Sequence, residues 1–376
     1  MKKDINSFFI LRIINFILLI LKLFLFKKAS NPNKIAIYRP GNLGDLVCAI
    51  TLFYSVRVKF PDAKIILITS IGSGKWGANE LFKNTKLFDE IIEYKERDIY
   101  SVFDKVKFIK KIRLLKLDLW IDCGNQINTF TLFLRQVIAI KLFNSRSLWL
   151  DKCIYFTFFK KYQEKHFFFN DETSRLNSFI LSYGVDIIKP PKKMMHDDFY
   201  DNSSLVNINN YIVISVGSAQ PLLNHWEEKK FIEIVNYLSK TFHVVFIGAP
   251  SAKNKVNRII SAMDMNYTNL INKTQIINLF SILYNCKFIF GLDTGTQHVA
   301  AFEGADVFTL TSCWNFDNTW SPNGSGKIFT IKNKNKSIKC LFNTDKNGKR
   351  VCYYDNNCID KITTNDVLTV IRDAYK

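Results

Sequence analysis

The chain has 376 residues, which is long enough for two ordinary domains that each bury a hydrophobic core. Hydrophobic residues make up 48% of it and charged residues 23%, which excludes a disordered chain and a protein with many membrane spans. The formal net charge of +19 calls for an anionic partner, such as nucleic acid, an anionic membrane surface or a phosphate-rich substrate. Its eight scattered cysteines indicate a reducing compartment rather than a disulfide scaffold.

Residues 1–30 are predicted to be an amphipathic, membrane-associating segment. Almost every residue in 7–26 is apolar, and Arg12, Asn15 and Lys22 fall within about a quarter turn of one another on a helical wheel. A narrow polar stripe with basic flanks favours a helix that lies in the interface of an anionic membrane. A membrane-spanning anchor is the alternative, although two cations inside a span are costly.

Residues 31–195 are predicted to form a first α/β domain. Strands are predicted at 35–38, 64–69 and 117–122, with a helix at about 45–59 between the first two. This βαβ opening predicts a parallel sheet. Gly41 and Gly44 bracket the turn after the first strand, and Asp45 stands near the tip of the helix. The Asp45 carboxylate is either a partner of the helix dipole or a general base that faces the crevice above the sheet.

Two polar stretches of this half are interpreted as connections. Residues 72–77 match the dinucleotide fingerprint G-x-G-x-x-G, but they follow the second strand and not the first, which favours a flexible loop near the substrate. Aromatic-rich helices are predicted up to about Gly184. The proline-marked stretch 189–204 is predicted to be the interdomain linker.

Residues 205–360 are predicted to form a second α/β domain, and 361–376 a C-terminal helix that could pack back on the first domain. The predicted strands of the second domain are 211–215, 243–248, 286–290 and 307–310, and its predicted helices are 227–240, 253–263 and 275–285. Alternating strands and helices again imply a parallel sheet covered on both faces. Two such domains that face each other leave a deep cleft, which is the usual place for a ligand.

The stretch Gly291-Leu-Asp-Thr-Gly-Thr-Gln-His298 reads as the end of a strand, a tight turn and the start of a helix. Asp293 or Thr294 can cap the helix, and Gly295 lets a ligand approach the backbone closely. Unpaired N–H groups and the positive end of the helix dipole favour a phosphate at such a position, where Thr294, Thr296 and His298 could add donors. A capped helix with an incidental histidine is the other interpretation.

Three stretches, in the right order, resemble glycosyltransferase family 9, the lipopolysaccharide heptosyltransferase family. The first is IAIYRPGNLGDLVCAITLFYSVRVKFPDAKIILIT, with a glycine turn that ends in Gly-Asp. The second is YIVISVGSAQPLLNHWEEKKFIEIVNYL followed by HVVFIGAP. The third is FIFGLDTGTQHVAAFEGADVFTL, which is similar to the Asp-Thr-Gly-x-x-His signature of the family. The resemblance covers residues 34–332.

The resemblance implies the glycosyltransferase B-type fold, in which two Rossmann-like domains face each other across a cleft. It implies an inverting enzyme that moves heptose or a related sugar from a nucleotide-diphosphate donor, with ADP-heptose as one candidate, to a lipopolysaccharide-type or other lipid-linked glycan. Neither a metal nor a cofactor is implied. Asp45 aligns with the catalytic base, and the residues expected to bind the donor are Ser218, His225, Asp293, Thr294, Gly295, Thr296 and His298. Arg39, Gly41, Asn42 and Gly44 form the loop expected on the acceptor side.

Two departures from the family pattern bear on activity. Family members commonly carry a donor-binding lysine just before the tryptophan of the second stretch, whereas Asn224 and His225 precede Trp226 here. His225, Lys229 or Lys230 would then compensate, and a catalytically inactive nucleotide-sugar or glycan-binding homologue is the alternative function. Cys340, Cys352 and Cys358 resemble the cysteine-rich tail of the family and are interpreted as buried structural residues, with a zinc site as the alternative.

The partners predicted from the whole sequence are a nucleotide-diphosphate sugar, a lipid-linked glycan acceptor and an anionic membrane surface. Nucleic acid is not among them, because the chain has no helix-turn-helix, zinc-finger or RNP signature. A cytoplasmic location, peripheral at the inner face of a bacterial inner membrane, is expected.

Overall fold

The computed structural model describes residues 31–71, 77–95, 101–124, 145, 147–150, 171–196, 210–218, 225–263, 267–312, 320–333, 342–344, 350–352 and 358–376. The predictions about residues 1–30, the loop 72–76, positions 219–224 and Cys340 therefore lie outside the described residues. Within the described ranges, no helix has the length and apolar content needed to cross a bilayer.

The first domain is built on a parallel sheet of five strands. The strands are β1 (Lys34–Tyr38), β2 (Lys64–Ser70), β3 (Glu90–Tyr94), β4 (Leu119–Asp122) and β5 (Ser147–Leu150). Their order in the sheet is β3-β2-β1-β4-β5. β2 and β3 lie on one side of β1 and β4 and β5 on the other, so the strand order reverses between β1 and β4. The central strands carry nearly continuous apolar runs because helices cover both faces of the sheet. Ile35, Ala36 and Ile37 of β1 are fully buried.

Of the helices described in this domain, four lie between its strands, and the fifth follows β5. They are α1 (Leu43–Cys48), α2 (Ile50–Lys59), α3 (Ala78–Phe82), α4 (Val102–Leu114) and α5 (Glu172–Leu181). The single helix predicted at 45–59 is divided, because Ala49 both ends α1 and begins α2. In the region predicted to hold only aromatic-rich helices, the structure instead places strand β5, where the rings of Trp149 and Tyr183 stack 4.9 Å apart.

The second domain repeats this architecture with a parallel sheet of six strands. The strands are β6 (Tyr211–Ser215), β7 (His243–Ile247), β8 (Tyr267–Asn269), β9 (Phe288–Leu292), β10 (Asp306–Leu310) and β11 (Ile328–Ile331). The order β11-β10-β9-β6-β7-β8 places the reversal between β6 and β9. Its helices are α6 (Glu228–Leu238), α7 (Lys253–Ile260), α8 (Ile276–Asn285) and α9 (Gly295–Glu303). The predicted fold of two parallel-sheet α/β domains is confirmed.

The chain ends with a hairpin of β12 (Phe342–Thr344) and β13 (Arg350–Cys352), followed by helix α10 (Thr364–Ala374). Val367 and Ile371 of α10 are buried in the same apolar cluster as the residues of the second sheet. The Tyr375 hydroxyl donates a hydrogen bond of 2.9 Å to Asp306 Oδ2. α10 thus packs on the second domain, whereas the sequence suggested the first, because the apolar face that it covers belongs to β11 and α6.

The two domains contact each other through α1 and α9 and through polar contacts beside them. Asn323 Nδ2 donates to Asp171 Oδ2 at 2.8 Å. The buried pair His196 Nε2 and Glu303 Oε2 is also 2.8 Å apart. These contacts fix the relative position of the turn after β1 and the turn after β9. Ligands of open α/β sheets bind at such points of reversal, outside the carboxyl ends of the strands.

Candidate active site

Asp45 is held at the start of α1 by the turn that follows β1. The Asn42 backbone N–H donates to Asp45 Oδ2 at 2.8 Å, and the side chain of Asp45 keeps 16% of its surface exposed. Gly41 has φ +140°, and a Cβ on this residue would lie 2.4 Å from Asp45 Cγ. The turn therefore requires glycine at position 41, both for its backbone angle and for the room that Asp45 occupies.

A buried arginine lies beneath Asp45. Arg39 is fully buried, its Nε donates to the Asp45 backbone carbonyl at 3.0 Å, and its Nη2 lies 3.6 Å from Asp45 Oδ1. Its Nη1 donates to the carbonyl of Cys123 at 2.7 Å and to Glu172 Oε1 at 2.9 Å. The guanidinium thus holds both the backbone and the carboxylate of Asp45 in place.

Glu172 and Arg175 complete this charged cluster from α5. Arg175 donates from Nε to Glu172 Oε2 at 2.7 Å and from Nη2 to Glu172 Oε1 at 2.7 Å. Burial by itself raises the pKa of the Glu172 carboxyl, but the hydrogen bonds and charges of Arg175 and Arg39 outweigh it and hold that pKa below its usual value. At neutral pH Glu172 is therefore an anion that pairs with both buried guanidinium groups.

The start of α9 gathers the polar side chains of the Asp-Thr-Gly-x-x-His stretch. Thr294 has extended backbone angles and precedes the first residue of the helix. Its Oγ1 lies 2.8 Å from Thr296 Oγ1, which in turn lies 3.2 Å from Ser215 Oγ at the end of β6. Burial raises the pKa of Asp293, an effect partly opposed by the charge of Lys332. Helix N–H groups and hydroxyls form a surface suited to an anion.

His298 faces the first domain rather than its own. Its Nδ1 lies 3.3 Å from the Sγ of Cys48, the last residue of α1. Burial raises the pKa of the Cys48 thiol and lowers the pKa of the His298 imidazole, so both groups are neutral. A neutral thiol can donate to Nδ1, and the ring proton of the imidazole then resides on Nε2.

Two glycines allow the starts of α1 and α9 to meet. A Cβ on Gly44 would lie 3.1 Å from His298 Cδ2 and 3.6 Å from His298 Nε2. A Cβ on Gly295 would lie 3.0 Å from the Gly44 backbone nitrogen and 3.1 Å from Leu43 Cβ. The predicted base Asp45 and the predicted phosphate-binding residues Thr294, Gly295 and His298 are therefore brought to one junction.

A set of buried polar side chains around α9 and the end of β10 was not found by sequence reasoning. Their side-chain atoms have no hydrogen-bond partner in the described part of the chain, and they belong to Gln297, Thr309, Thr311, Ser312 and Ser321. Each such atom costs about 1–3 kcal/mol when no partner satisfies it. A concentration of them next to a helix start indicates a binding site. The polar run Thr309-Leu-Thr-Ser312, at the end of an apolar strand, was the available signal.

His225 does not lie in an anion-binding environment. Its Nδ1 lies 3.1 Å from Asp360 Oδ2, and Lys230 donates to the backbone carbonyl of Asp360. Lys229, which is largely exposed, pairs with Glu227 at 3.2 Å. The residues expected to replace the family lysine are thus engaged by carboxylates or carbonyls. Ser218 follows β6 and is half-buried.

Trp226 and Cys358 are parts of the core. Trp226 is fully buried, its Nε1 donates to the Ile362 carbonyl at 2.9 Å, and its ring packs edge-on against Phe231. Cys358 is also buried, with only 4% of its surface exposed. Among the described residues, no group of three or more His, Cys, Asp or Glu side chains is placed to hold a metal ion.

Comparison with protein families assigns the second half of the chain. The model of glycosyltransferase family 9 (heptosyltransferase) matches residues 184–339, which include β6 to β11 and the start of α9. Lipooligosaccharide heptosyltransferase 2 of Campylobacter jejuni is 25% identical over 297 residues, which are 76% of this chain and 85% of that protein. The resemblance predicted from the sequence is confirmed, and so is the enzyme class.

Solved structures show the same fold at low sequence identity. A family 9 glycosyltransferase from Veillonella parvula aligns with a TM-score of 0.63 at 15% identity, over 91% of this chain and 96% of that one. An E. coli heptosyltransferase solved with ADP aligns with a TM-score of 0.59 at 13% identity, over 90% and 99% of the respective chains.

Proposed function

We propose that this heptosyltransferase-like glycosyltransferase moves a heptose from a nucleotide-diphosphate donor to a lipid-linked glycan, with inversion at the anomeric carbon and without a metal ion. The observation that carries the proposal is the junction of α1 and α9. A Cβ on Gly44 of the first domain would approach His298 of the second to 3.1 Å, so the base and the phosphate-binding helix start border one cleft.

On the acceptor side, Asp45 removes the proton of the attacking hydroxyl. The oxygen forms a bond to the anomeric carbon, the proton passes to the Asp45 carboxylate, and the bond from the anomeric carbon to the diphosphate oxygen breaks. Arg39 holds the Asp45 backbone through a hydrogen bond of 3.0 Å to its carbonyl and places a guanidinium nitrogen 3.6 Å from its carboxylate, which lowers the reorganisation needed when the acceptor arrives. Attack from the face opposite the leaving group inverts the configuration.

On the donor side, α9 stabilises the departing diphosphate. Backbone N–H groups at its start, the Thr294 and Thr296 hydroxyls and the Nε2–H of His298 are fixed before the ligand binds. Preorganised donors of this kind stabilise negative charge that develops in a transition state, without the presence of a cation. The polar side chains of Gln297, Thr309 and Thr311, which have atoms without a partner among the described residues, would receive the remaining polar groups of the nucleotide.

The relatives support an adenine nucleotide and a lipopolysaccharide-type acceptor. The Campylobacter relative bears the name of a lipooligosaccharide heptosyltransferase, and the E. coli structure contains ADP. ADP-heptose is thus the donor that we assign to this chain, and the acceptor is a lipid-linked glycan at the inner face of the bacterial inner membrane. The net charge of +19 favours residence at such an anionic surface.

The experiment that tests the proposal compares Asp45→Asn with wild type, using ADP-heptose and a deacylated core glycan acceptor. We expect transfer to fall at least about a thousandfold, as for loss of a general base, while calorimetry shows ADP affinity within about twofold of wild type. Asp62→Asn, in the exposed turn before β2, is the matched control and keeps full activity.

Substitutions on the other side of the cleft separate donor binding from chemistry. Thr294→Val and His298→Ala are expected to weaken ADP binding about tenfold or more each, through loss of hydrogen bonds to a charged group. Wild-type turnover in Asp45→Asn would refute the base assignment. ADP binding without transfer or hydrolysis of any nucleotide-sugar would instead support the inactive homologue, and loss of transfer on chelation would refute the metal-free mechanism.

A further inference from the structure

Helix α4 exposes large apolar side chains to solvent over its whole length. Of its 13 residues only Ile112 is fully buried, whereas Val102, Phe103 and Leu114 are 78%, 77% and 80% exposed. Val106 is exposed as well. On a helix of 3.6 residues per turn these four side chains fall on one half of the circumference. Apolar side chains that share one face of a helix mark an interaction surface rather than scattered surface residues.

The same face of α4 is strongly cationic. Lys107, Lys110, Lys111 and Arg113 are exposed and fall within the same half of the helix. The acidic side chain of the helix, Asp104, is engaged in its first turn, where Oδ2 accepts from the hydroxyl of Ser101 at 2.5 Å. Interleaved apolar and basic side chains are the pattern of a helix that lies in the headgroup region of an anionic bilayer.

The position of α4 in the fold places this face near the cleft. α4 connects β3 to the parallel strand β4, so it begins at the carboxyl edge of the first sheet, where the turn with Asp45 lies. The Phe108 ring lies 5.2 Å from the ring of Tyr94, the last residue of β3, and the Tyr94 hydroxyl lies 2.8 Å from that of Tyr38 at the end of β1. The first part of α4, which contains Val102 and Phe103, therefore lies on the cleft side of the domain.

We propose that α4 is a membrane-docking helix that inserts Val102, Phe103, Val106 and Leu114 between the headgroups of an anionic bilayer while its lysines contact lipid phosphates. It is separate from the membrane segment predicted at residues 1–30, and it would orient the cleft toward an acceptor embedded in the bilayer. The charge complementarity favours a lipid surface over a second copy of this cationic chain, because two copies would bring their lysines together. Only the statement about orientation rests on the proposed function, since lipid binding can be measured without substrate.

The experiment measures binding of the full chain to vesicles of phosphatidylcholine alone or mixed with phosphatidylglycerol. Wild type is expected to prefer the anionic vesicles and to lose affinity as salt increases. Lys107→Gln, Lys110→Gln and Lys111→Gln together should lower the apparent affinity about a hundredfold, because each cation near the surface contributes about 1 kcal/mol. The double variant Phe103→Ser, Val106→Ser should lower the apparent vesicle affinity at both low and high salt.

Matched controls lie outside the helix. Leu181→Ser, in α5, changes an exposed apolar side chain, and Lys229→Gln, in the second domain, changes a largely exposed lysine. Both should bind vesicles as wild type does. Insertion itself is tested by tryptophan fluorescence in Phe103→Trp. Brominated lipids should quench the fluorescence of this variant more than that of wild type, whereas Leu181→Trp should show no such increase.

Activity on a deacylated acceptor separates this inference from the proposed function. The α4 variants should keep wild-type transfer to that soluble acceptor and lose transfer only to the acceptor in vesicles. Unchanged vesicle affinity in both groups of α4 variants would overturn the inference. So would a change from dimer to monomer in the Phe103→Ser and Val106→Ser variant without lipid, since the face would then be covered by a second copy.

Discussion

At the scale of residues, the site depends on buried charges that come from distant parts of the sequence. Arg39 precedes Asp45 by six positions, but its partner Glu172 is 133 residues away. Removing one member would leave an unpaired buried charge, which typically costs about 3–5 kcal/mol. The cluster therefore stabilises the first domain and at the same time fixes the predicted base.

Because its pKa is lower in the folded than in the unfolded chain, Glu172 should make stability depend on pH. Its contribution is fully present above the ordinary glutamate pKa of 4.5 and is lost as the pH falls through the lower folded value. We expect the free energy of unfolding, measured by urea denaturation, to fall below pH 4.5 in wild type and to fall less in Glu172→Gln. Glu80→Gln, in α3, is the control, and an equal acid dependence in wild type and Glu172→Gln would contradict the assignment.

The thiol of Cys48 should set the tautomer of His298. With Cys48 Sγ 3.3 Å from Nδ1, we expect nitrogen-15 NMR of the histidine rings to show a neutral His298 that carries its proton on Nε2. Cys48→Ser keeps a donor and should keep this tautomer, whereas Cys48→Ala should mix the two tautomers and weaken ADP binding several-fold. Cys286→Ala removes another buried thiol and should change neither the His298 tautomer nor the ADP affinity. A proton on Nδ1 of His298 in wild type would refute the role of Cys48.

The site residues that the sequence predicted, and that the structure brings to one junction, stand in local motifs. Asp45 follows a glycine turn, and Thr294, Gly295 and His298 belong to one short signature, so neighbouring positions were sufficient to predict them. Glu172, Arg175 and Cys48 carry no local signal, since their roles arise only when separate strands and helices come together. His225 was expected to bind the donor because the family lysine is missing. In the structure it instead contacts Asp360, which is 135 residues away in the sequence.

At the scale of elements, the central strands of both sheets were predictable because they are short apolar runs between turn residues. The predicted strand at 211–215 coincides with β6, and those at 64–69 and 307–310 differ from β2 and β10 by one residue at one end. β3, β5, β8 and β11 were missed; each is an edge strand of its sheet, and polar residues such as Glu90, Glu93 and Ser147 stand among the apolar residues of β3 and β5. The break at Ala49 was missed because no proline or glycine marks it.

Close approach of β6 and β9 depends on Gly291. A Cβ on this residue would lie 2.0 Å from the Ser215 carbonyl oxygen, which is backbone and cannot rotate away. We expect Gly291→Ala to lower the free energy of unfolding by about 3 kcal/mol, as in overpacked cores, and to reduce ADP affinity by displacing Ser215 and Thr296. In Gly217→Ala the new methyl would meet only Ala252 Cβ, at 3.1 Å, so a loss of less than about 1 kcal/mol is expected. Denaturant unfolding compares the two, and equal losses would contradict this account.

At the scale of the whole molecule, two sheets with the same strand order place their points of reversal opposite each other. Asp45 follows the turn after β1 and the predicted phosphate-binding residues follow β9, so the candidate site takes residues from both domains. The alternation of strands and helices predicts both sheets, but not the way in which the domains meet. Asn323 with Asp171 and His196 with Glu303 support that arrangement beside the contact of α1 with α9, and no local pattern pairs residues so far apart in the sequence.

Gly44 and Gly295 at the junction of α1 and α9 should be energetically coupled, which a double-mutant cycle can measure. Gly44→Ala would press on His298 and Gly295→Ala on Gly44 and Leu43, at distances of 3.0–3.1 Å, so either change separates the same two helices. Each should lower sugar transfer by about 10–100-fold, because a displacement of about 1 Å misaligns the base with the donor. Once one methyl has separated the helices, the second meets less resistance, so the double variant should lose less than the sum of the two single losses. Ala36→Gly in β1 is a control with no methyl at the junction, and strictly additive losses in transfer and unfolding free energy would show that the two glycines act independently.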